Sequence, residues 1–198
     1  MSNSTKGRIQ RGSAPEKVLT DANYRKYALP ALRRDFEDRC AYSQQHQRQA
    51  GGSAMSMEID HFNPTIKGRD RHLYENLFLS TRYCNNKKQG NWPTEEQQAK
   101  GVRLLNCCNE VDYGEHIFED PETSELVGIT PQGRYHIRTL DLNAEHFVDE
   151  RRLRTQIRRL LFEEHKIVKE SHAAIRIFHI LKTELEYLIP PIQPPPIG

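Results

Sequence analysis

Five polar residues between positions 57 and 93 have types and spacings that can do chemistry. They are Asp60, His61, Asn76, Asn85 and Lys88. An imidazole with a reference pKa of about 6.5 is largely neutral near pH 7 and can accept a proton from water. The oxygens of the Asp60 carboxylate and the Asn85 amide are hard ligands that suit Mg²⁺ or Mn²⁺. Such a set is suited to phosphodiester hydrolysis, in which a base activates water and a cation stabilises charge on the phosphoryl oxygens.

Short elements must position these residues. Apolar and polar residues alternate over residues 57–62, which predicts a strand that carries Asp60 and His61 near its end. Neighbouring side chains of a strand point to opposite faces. A local kink or the strand end is therefore needed to direct both groups at one phosphate, and Asn63-Pro64 is expected to break the strand there.

The rest of the segment predicts a returning strand and a helix. The apolar run 77–79 is typical of a second short strand. Residues 82–89 lack glycine, proline and β-branched side chains, which favours a short helix that ends near Gly90. The predicted order is strand, loop, strand, helix.

Three phrases of this segment together resemble the HNH endonuclease motif, which that family carries on a ββα-metal scaffold. The phrases are Asp60-His61, Tyr74-Glu75-Asn76-Leu77 and Cys84-Asn85-Asn86-Lys87-Lys88. The nine-residue separation of Asn76 and Asn85 agrees with the family's spacing and selects Asn85 over Asn86. The resemblance then implies that His61 is the general base and that Asp60 and Asn85 are the ligands of the divalent cation.

The resemblance also implies supporting roles. It implies that Asn76 orients His61 through the connecting loop, and that Lys88 or Arg82 contacts phosphate. Each residue has a simpler interpretation when taken alone. Asn76 is typical of a turn or cap, His61 of a structural histidine, and the Lys87-Lys88 pair of a solvated helix face. The combined phrase favours a nuclease-type site.

Composition and length bound the class of protein. The 198 residues fit one domain, and a net charge of +2 means that any nucleic-acid contact must come from local patches. No apolar run approaches the roughly 20 residues that span a bilayer, and we recognise no signal peptide. The four cysteines do not form the pattern of a secreted disulfide framework, so we expect a cytosolic protein.

The cysteine pattern departs from that of many HNH proteins, which hold a structural zinc with two Cys-x-x-Cys knuckles. The corresponding pairs in this chain are Cys40 with Ser43 and Thr81 with Cys84. Hydroxyls are poor zinc ligands, so we predict no structural zinc and buried, unmetallated cysteines. The alternative is a rearranged site completed by Cys107, Cys108 or a nearby histidine.

Several flanking elements are also expected. They are two helical pieces interrupted at Pro30 within 18–39, a helix capped at Thr94, a β-hairpin of 116–118 and 126–129, an extended piece at 135–137, and two helices between 147 and 188.

The two ends of the sequence differ in composition. Residues 1–16 are polar and basic, so we expect a mobile segment in which Lys6, Arg8 and Arg11 can contact a phosphate backbone. Residues 189–198 are rich in proline and suit an extended polyproline II tail, with docking into a partner's groove as the second interpretation.

Residues 138–143 and the helix after them extend the resemblance to bacterial HNH proteins of Septu and retron antiviral systems. Those proteins work beside an ABC-type ATPase with an SMC-like head. The resemblance therefore implies DNA, most simply double-stranded, as substrate and such an ATPase as partner. Five arginines are expected on the solvated face of this helix, with a phosphate-binding or acidic-partner surface as the alternative. They are Arg151, Arg152, Arg154, Arg158 and Arg159.

These expectations combine into an α+β fold with helices and a small β-hairpin around a ββα-metal core. The domain spans 17–188, with the core at about 57–93 and the C-terminal helices at about 147–188. The expected activity is metal-dependent endonucleolytic cleavage of DNA by the effector subunit of an antiviral complex. The alternative is a catalytically silent, HNH-derived adaptor that binds nucleic acid or the ATPase.

Overall fold

The computed structural model describes residues 9–109, 114–164 and 172–192, and within them the fold is mixed α+β. The described helices are α1 Tyr24–Asp35, α2 Arg82–Lys88, α3 Glu95–Ala99, α4 Pro131–Leu140, α5 Glu145–Glu164 and α6 His172–Tyr187. The described strands form two antiparallel pairs, β1 Met57–His61 with β2 Leu77–Thr81 and β3 Ile117–Glu119 with β4 Leu126–Gly128. Short 3-10 helices cover Ala54–Ser56, Gly68–His72 and Tyr74–Asn76.

The predicted order of strand, loop, strand and helix in the central segment is confirmed. In the β1–β2 pair, Met57 lies opposite Thr81 and His61 lies opposite Leu77. Helix α2 follows β2 without a linker, because the Thr81 hydroxyl caps it by accepting a hydrogen bond from the Cys84 amide. Gln89 ends α2 in the left-handed conformation.

The hydrophobic core lies on β2, whose five residues are all buried. Helix α1 supplies Leu32, and Phe36 follows the helix; both are fully buried. The Phe36 and Phe78 rings meet at 5.7 Å between centroids, and Phe62 stacks on Phe78 at 4.5 Å. Burial of these aromatic and aliphatic side chains supplies the main free energy that holds the β1–β2 pair in place.

The predicted interruption at Pro30 is wrong, because α1 continues through it as one helix. Proline removes one intrahelical hydrogen bond and costs about 3 kcal/mol in an isolated helix interior. Ala28 and Leu32 on either side of Pro30 are fully buried. Their packing against β2 offsets the lost bond.

The predicted extended piece at 135–137 is also wrong, since these residues lie in α4. Thr130 caps that helix by accepting a hydrogen bond from the Gly133 amide, and Pro131 occupies the first helical turn. Gly133 is required by close packing, because a β-carbon there would lie 1.9 Å from the His116 carbonyl oxygen. The predicted hairpin of β3 and β4 and the helix capped at Thr94 are confirmed.

The two predicted C-terminal helices are confirmed as α5 and α6, but two of the five arginines do not lie on a solvated face. Arg151 is buried and donates hydrogen bonds to the Ser124 and Leu142 carbonyls. Arg154 is buried, pairs with Glu119 and donates to the Ile189 carbonyl. Three arginines are exposed as predicted: Arg152, Arg158 and Arg159.

Residues near both ends of the described chain pack against the rest of the fold. Ile9 is buried, and the Arg11 guanidinium lies over the Phe78 ring and donates to the Leu77 carbonyl at 2.8 Å. Arg11 therefore has a structural role in place of the expected phosphate contact. Ile189 is buried, and its amide donates to Glu150 at 3.0 Å. The predictions for Lys6 and Arg8, and for the last six residues of the proline-rich tail, lie outside the described residues.

No helix in the described part of the chain is both long and apolar enough to cross a membrane.

Candidate active site

Strand β1 presents the candidate residues on two opposite faces. Glu58 and Asp60 face α2, where they meet Asn85 and Lys88. His61 points the other way, toward a loop that carries His72. The structure therefore separates the predicted metal ligands from the predicted base, as strand geometry requires.

The Asp60 carboxylate is held in a buried ion pair. The Lys88 ammonium lies 2.9 Å from Oδ2 of Asp60 and donates to the His61 carbonyl at 2.8 Å. The Tyr42 hydroxyl also donates to Asp60. Burial and the Asp60 charge raise the pKa of Tyr42 well above its usual range, so Tyr42 stays a donor.

Lys88 does not lie where a phosphate contact requires it. Its side chain is fully buried between α2 and β1. A buried lysine that donates to a carboxylate and a carbonyl serves to compensate the buried charge of that carboxylate. Two adjacent lysines at the end of a helix look alike in the sequence. The pattern therefore does not show that Lys88 is buried while Lys87 is at the surface.

Asn85 lies next to a residue that the sequence analysis missed, Glu58. The Asn85 side-chain amide donates to Oε2 of Glu58 at 2.7 Å, and Arg82 pairs with Oε1 at 2.9 Å. The hydrogen bond from Asn85, together with Arg82, lowers the pKa of Glu58. Period-two alternation with Asp60 was the available signal for Glu58. Arg82 stays largely exposed, so it remains available to a phosphate.

The donor types between β1 and α2 fit a hard divalent cation, since two carboxylates from β1 and one amide from α2 lie there. The Lys88 ammonium, however, already compensates Asp60, and a second cation in contact with the same carboxylate would repel it. Binding of a cation by Asp60 therefore requires Lys88 to move away. Within residues 9–109, 114–164 and 172–192, no cluster of three or more histidine, cysteine or acidic side chains is arranged to hold a metal ion.

His61 is buried beside cationic groups that keep it neutral. Burial, followed by the charge of the Arg71 guanidinium, lowers the pKa of His61 to about 4. Its Nε2 atom lies 3.2 Å from Nδ1 of His72. No other hydrogen bond of the His61 ring exists among the described residues. A neutral imidazole with one ring nitrogen unbonded is the form that can accept a proton.

Asn76 holds the loop between β1 and β2. Its side-chain oxygen accepts a hydrogen bond from the Asn63 backbone N–H at 2.8 Å, and its side-chain nitrogen donates to the Arg71 carbonyl at 3.0 Å. These bonds tie the start of the loop to the residue before His72. Within the described part of the chain, the Asn76 side chain makes no hydrogen bond to the His61 ring.

The same loop carries exposed positive charge that faces solvent near His61. Lys67, Arg69 and Arg71 are all exposed, and Arg71 contributes to the lowered pKa of His61. Such a group of cations can contact a phosphate backbone without reading its sequence. These residues are better placed for that role than Lys88.

The four side chains that were compared with zinc knuckles lie close together at the start of α2. The Thr81 hydroxyl donates to the Cys40 thiol at 3.7 Å, and Ser43 and Cys84 also hydrogen-bond Cys40. Burial alone would raise the pKa of Cys40, but these hydrogen bonds lower it to about 5. Cys107 and Cys108 are free thiols that contact each other, with 4.0 Å between their sulfur atoms.

An open cavity of about 400 Å³ lies beside the start of α2. Its lining includes Gln45, Arg82, Tyr83 and His146. His61 and Asp60 are not among its lining residues. This cavity is therefore not a cleft around the candidate reacting groups.

Comparisons of the chain with protein-family models, with curated proteins and with solved structures return no match. Any proposal about function therefore rests on the residues of this chain and their geometry.

Proposed function

We propose that the chain is a metal-dependent HNH-type endonuclease that hydrolyses DNA phosphodiester bonds. One observation carries this proposal: His61, at the end of β1, is neutral, has a ring nitrogen unbonded among the described residues and lies near an exposed basic loop. These are the requirements for a base that must work next to a polyanion.

His61 accepts a proton from the attacking water, whose oxygen bonds to phosphorus as the bond to the leaving oxygen breaks. A pKa of about 4 makes the free imidazole a weak base. An anionic phosphodiester beside His61 favours the imidazolium and raises its pKa. Substrate binding thus strengthens the base at the moment when it is needed.

Asp60 and Asn85 would hold the divalent cation, Mg²⁺ or Mn²⁺. That cation would stabilise negative charge on the phosphoryl and leaving oxygens. The support is the oxygen donors on the α2 face of β1, which include Glu58 beside Asn85. Lys88 compensates the charge of the buried Asp60 carboxylate, and a cation held there would take over that role.

The test measures cleavage of a labelled duplex oligonucleotide with Mg²⁺ or Mn²⁺. His61→Ala should lower the rate by about 10² to 10⁴, and added metal should not restore it. Asp60→Ala and Asn85→Ala should lose activity through weaker metal occupancy and regain part of it at high metal concentration. His179→Ala, at an exposed position on α6, is the matched control. Cleavage by His61→Ala at the wild-type rate would refute the proposal.

We further propose that the protein works in the cytoplasm as the effector subunit of an antiviral complex with an ABC/SMC-like ATPase. Five large apolar side chains of α5 and α6 are exposed, and these favour a protein partner. They are Leu153, Leu160, Ile175, Ile177 and Ile180.

Co-purification with the ATPase tests this surface. Replacing Ile177 and Ile180 together by serine should weaken binding without loss of folding. Val18→Ser, at an exposed site elsewhere, should leave binding intact. Equal binding by both variants would place the interface on another surface.

The silent adaptor remains the second candidate because the Asp60–Lys88 pair gives Asp60 a structural role that needs no metal. Under that alternative, the wild-type chain binds DNA or the ATPase and cleaves nothing with either metal.

A further inference from the structure

Two residues outside the motif continue a series of hydrogen bonds from His61. The Nε2 atom of His61 lies 3.2 Å from Nδ1 of His72, and Nε2 of His72 lies 2.8 Å from Oδ1 of Asp21. Asp21 comes from the segment before α1, 51 residues from His72 along the chain. The fold therefore joins three side chains from separate segments into one line that ends on His61.

The hydrogen-bonding chemistry of the Asp21 carboxylate and the two imidazole rings determines which ring nitrogens carry protons. An ionised carboxylate only accepts hydrogen bonds, so Nε2 of His72 must carry a proton. In a neutral His72 ring the other nitrogen, Nδ1, is then an acceptor. It follows that Nε2 of His61 donates to it. The lone pair of His61 is left on Nδ1, which has no hydrogen-bond partner among the described residues.

We propose that Asp21 and His72 are positioning residues that fix the tautomer and ring orientation of His61, so that Nδ1 of His61 is the atom that accepts the proton from water. The proposal deepens the nuclease function and rests on it. Asp21 and His72 act through His61 and do not themselves touch the reacting atoms.

Packing around His72 fits this role. The Tyr24 ring stacks on the His72 imidazole at 4.6 Å between centroids and 28° between planes. His72 is buried at the end of the 3-10 helix Gly68–His72, and Asn76 holds the carbonyl of the preceding residue. A ring fixed on its face and at both nitrogens can hold its neighbour in one orientation.

The Asp21 carboxylate is 87 % exposed, so it can be changed without opening the core. Asp21→Asn puts an amide at this position. The amide nitrogen can donate to Nε2 of His72, which reverses the proton assignment along the whole line. The variant therefore removes the carboxylate that requires a proton on Nε2 of His72, while retaining the side-chain volume. Asp70→Asn is the matched control, because Asp70 lies in the same 3-10 helix, is exposed and, among the described residues, makes no hydrogen bond or ion pair with the His72 ring.

Ring ¹⁵N NMR spectra of the full-length protein at pH 7 report the tautomers without any substrate. In the wild-type protein both His61 and His72 should carry their proton on Nε2. Asp21→Asn should shift His61 toward the Nδ1-protonated form, and Asp70→Asn should leave both rings unchanged. A wild-type His61 protonated on Nδ1, or a doubly protonated His72, would overturn the proposal.

Cleavage kinetics on the same labelled duplex give the second readout. Asp21→Asn should lower kcat by about tenfold while KM changes little, because part of the general-base contribution is lost and no substrate contact is. His72→Phe, which keeps a ring against Tyr24, should lower kcat as well. Adding Asp21→Asn to His72→Phe should cause no further loss, since Asp21 acts only through His72.

The outcomes separate this proposal from the proposed function. Additive losses in the double variant, or an unchanged kcat in Asp21→Asn, would overturn the positioning role while the nuclease activity of the wild type stands. If the wild type cleaves nothing, the nuclease function fails and the positioning role for that reaction fails with it, whatever tautomer the NMR spectra show.

Discussion

The Lys88 ammonium lies 2.9 Å from Oδ2 of Asp60, and the two side chains form a buried ion pair between α2 and β1. Asp60 and Lys88 belong to the same predicted motif, 28 residues apart along the chain. Their pairing gives the motif a structural function beside its proposed chemical one.

Lys88→Met should destabilise the fold strongly. The substitution leaves the Asp60 carboxylate buried without its counter-charge, which costs about 3 kcal/mol in unfolding free energy. Urea denaturation measures the loss. Lys87→Met is the control, because Lys87 pairs with Asp141 at the surface and should hardly affect stability. The double variant Asp60→Asn with Lys88→Met should recover part of the loss, and no recovery would contradict a role for the pair.

Arg71→Ala should weaken DNA binding more than it weakens folding. The exposed guanidinium is one of the cations of the loop beside His61, and loss of one phosphate contact should raise the Kd about fivefold and reduce the salt dependence. Fluorescence anisotropy with a labelled duplex at several salt concentrations measures both. Arg176→Ala on α6 is the matched control. Equal Kd values for the two variants would place the DNA-binding surface elsewhere.

Stability should fall as the pH drops from about 6.5 toward about 4. The pKa of His61 is lowered to about 4 in the folded protein, whereas an unfolded histidine has a pKa of about 6.5. Between these values the unfolded chain binds more protons, so its stability relative to the folded chain increases as the pH falls.

His61→Gln removes this group but keeps a donor toward His72, so the variant should lose less stability than the wild type between pH 7 and pH 5. Burial also lowers the pKa values of His46 and His146, which leaves a residual slope in the variant. Urea midpoints at each pH measure the two slopes. Parallel slopes would show that His61 is not responsible.

The purified protein should contain no stoichiometric zinc, because only Cys40 and Cys84 supply thiols at the four knuckle positions. Ser43 and Thr81 already contact Cys40, so Ser43→Cys with Thr81→Cys should complete a four-thiolate site and bind about one zinc per chain. Elemental analysis after gel filtration measures the metal. Cysteines placed instead at Ser53 and Thr123, both exposed, should bind none. About one zinc in the wild type would refute the prediction.

Most of the short elements follow from the sequence alone. Strands β1 and β2, helix α2 with its start after Thr81 and its end at Gln89, the capped start of α3 and the β3–β4 pair are all encoded in short-range patterns. Alternation, capping residues and turn residues act over a few positions, so they can be recognised without the fold. The missed start of α4 carried such a signal too, a threonine followed by proline at Thr130.

The surroundings of the candidate site depended on the tertiary structure. The burial of Lys88, the contact of Glu58 with Asn85, and the line from Asp21 through His72 to His61 all join residues that are more than ten positions apart. The burial of Arg151 and Arg154 on α5 also depended on the tertiary structure. Their partners, Ser124 and Glu119, are distant along the chain, whereas Arg152 pairs with Asp149 on the same helix.

The sequence by itself determined which groups are available for chemistry and which short elements carry them, since both depend on residue type and on spacing along the chain. Only the tertiary structure decided which of those groups are compensated in the interior and which reach solvent. The physical reason is that a lysine or arginine has the same side chain in either place, and its role depends on whether packing brings an acceptor within hydrogen-bonding distance.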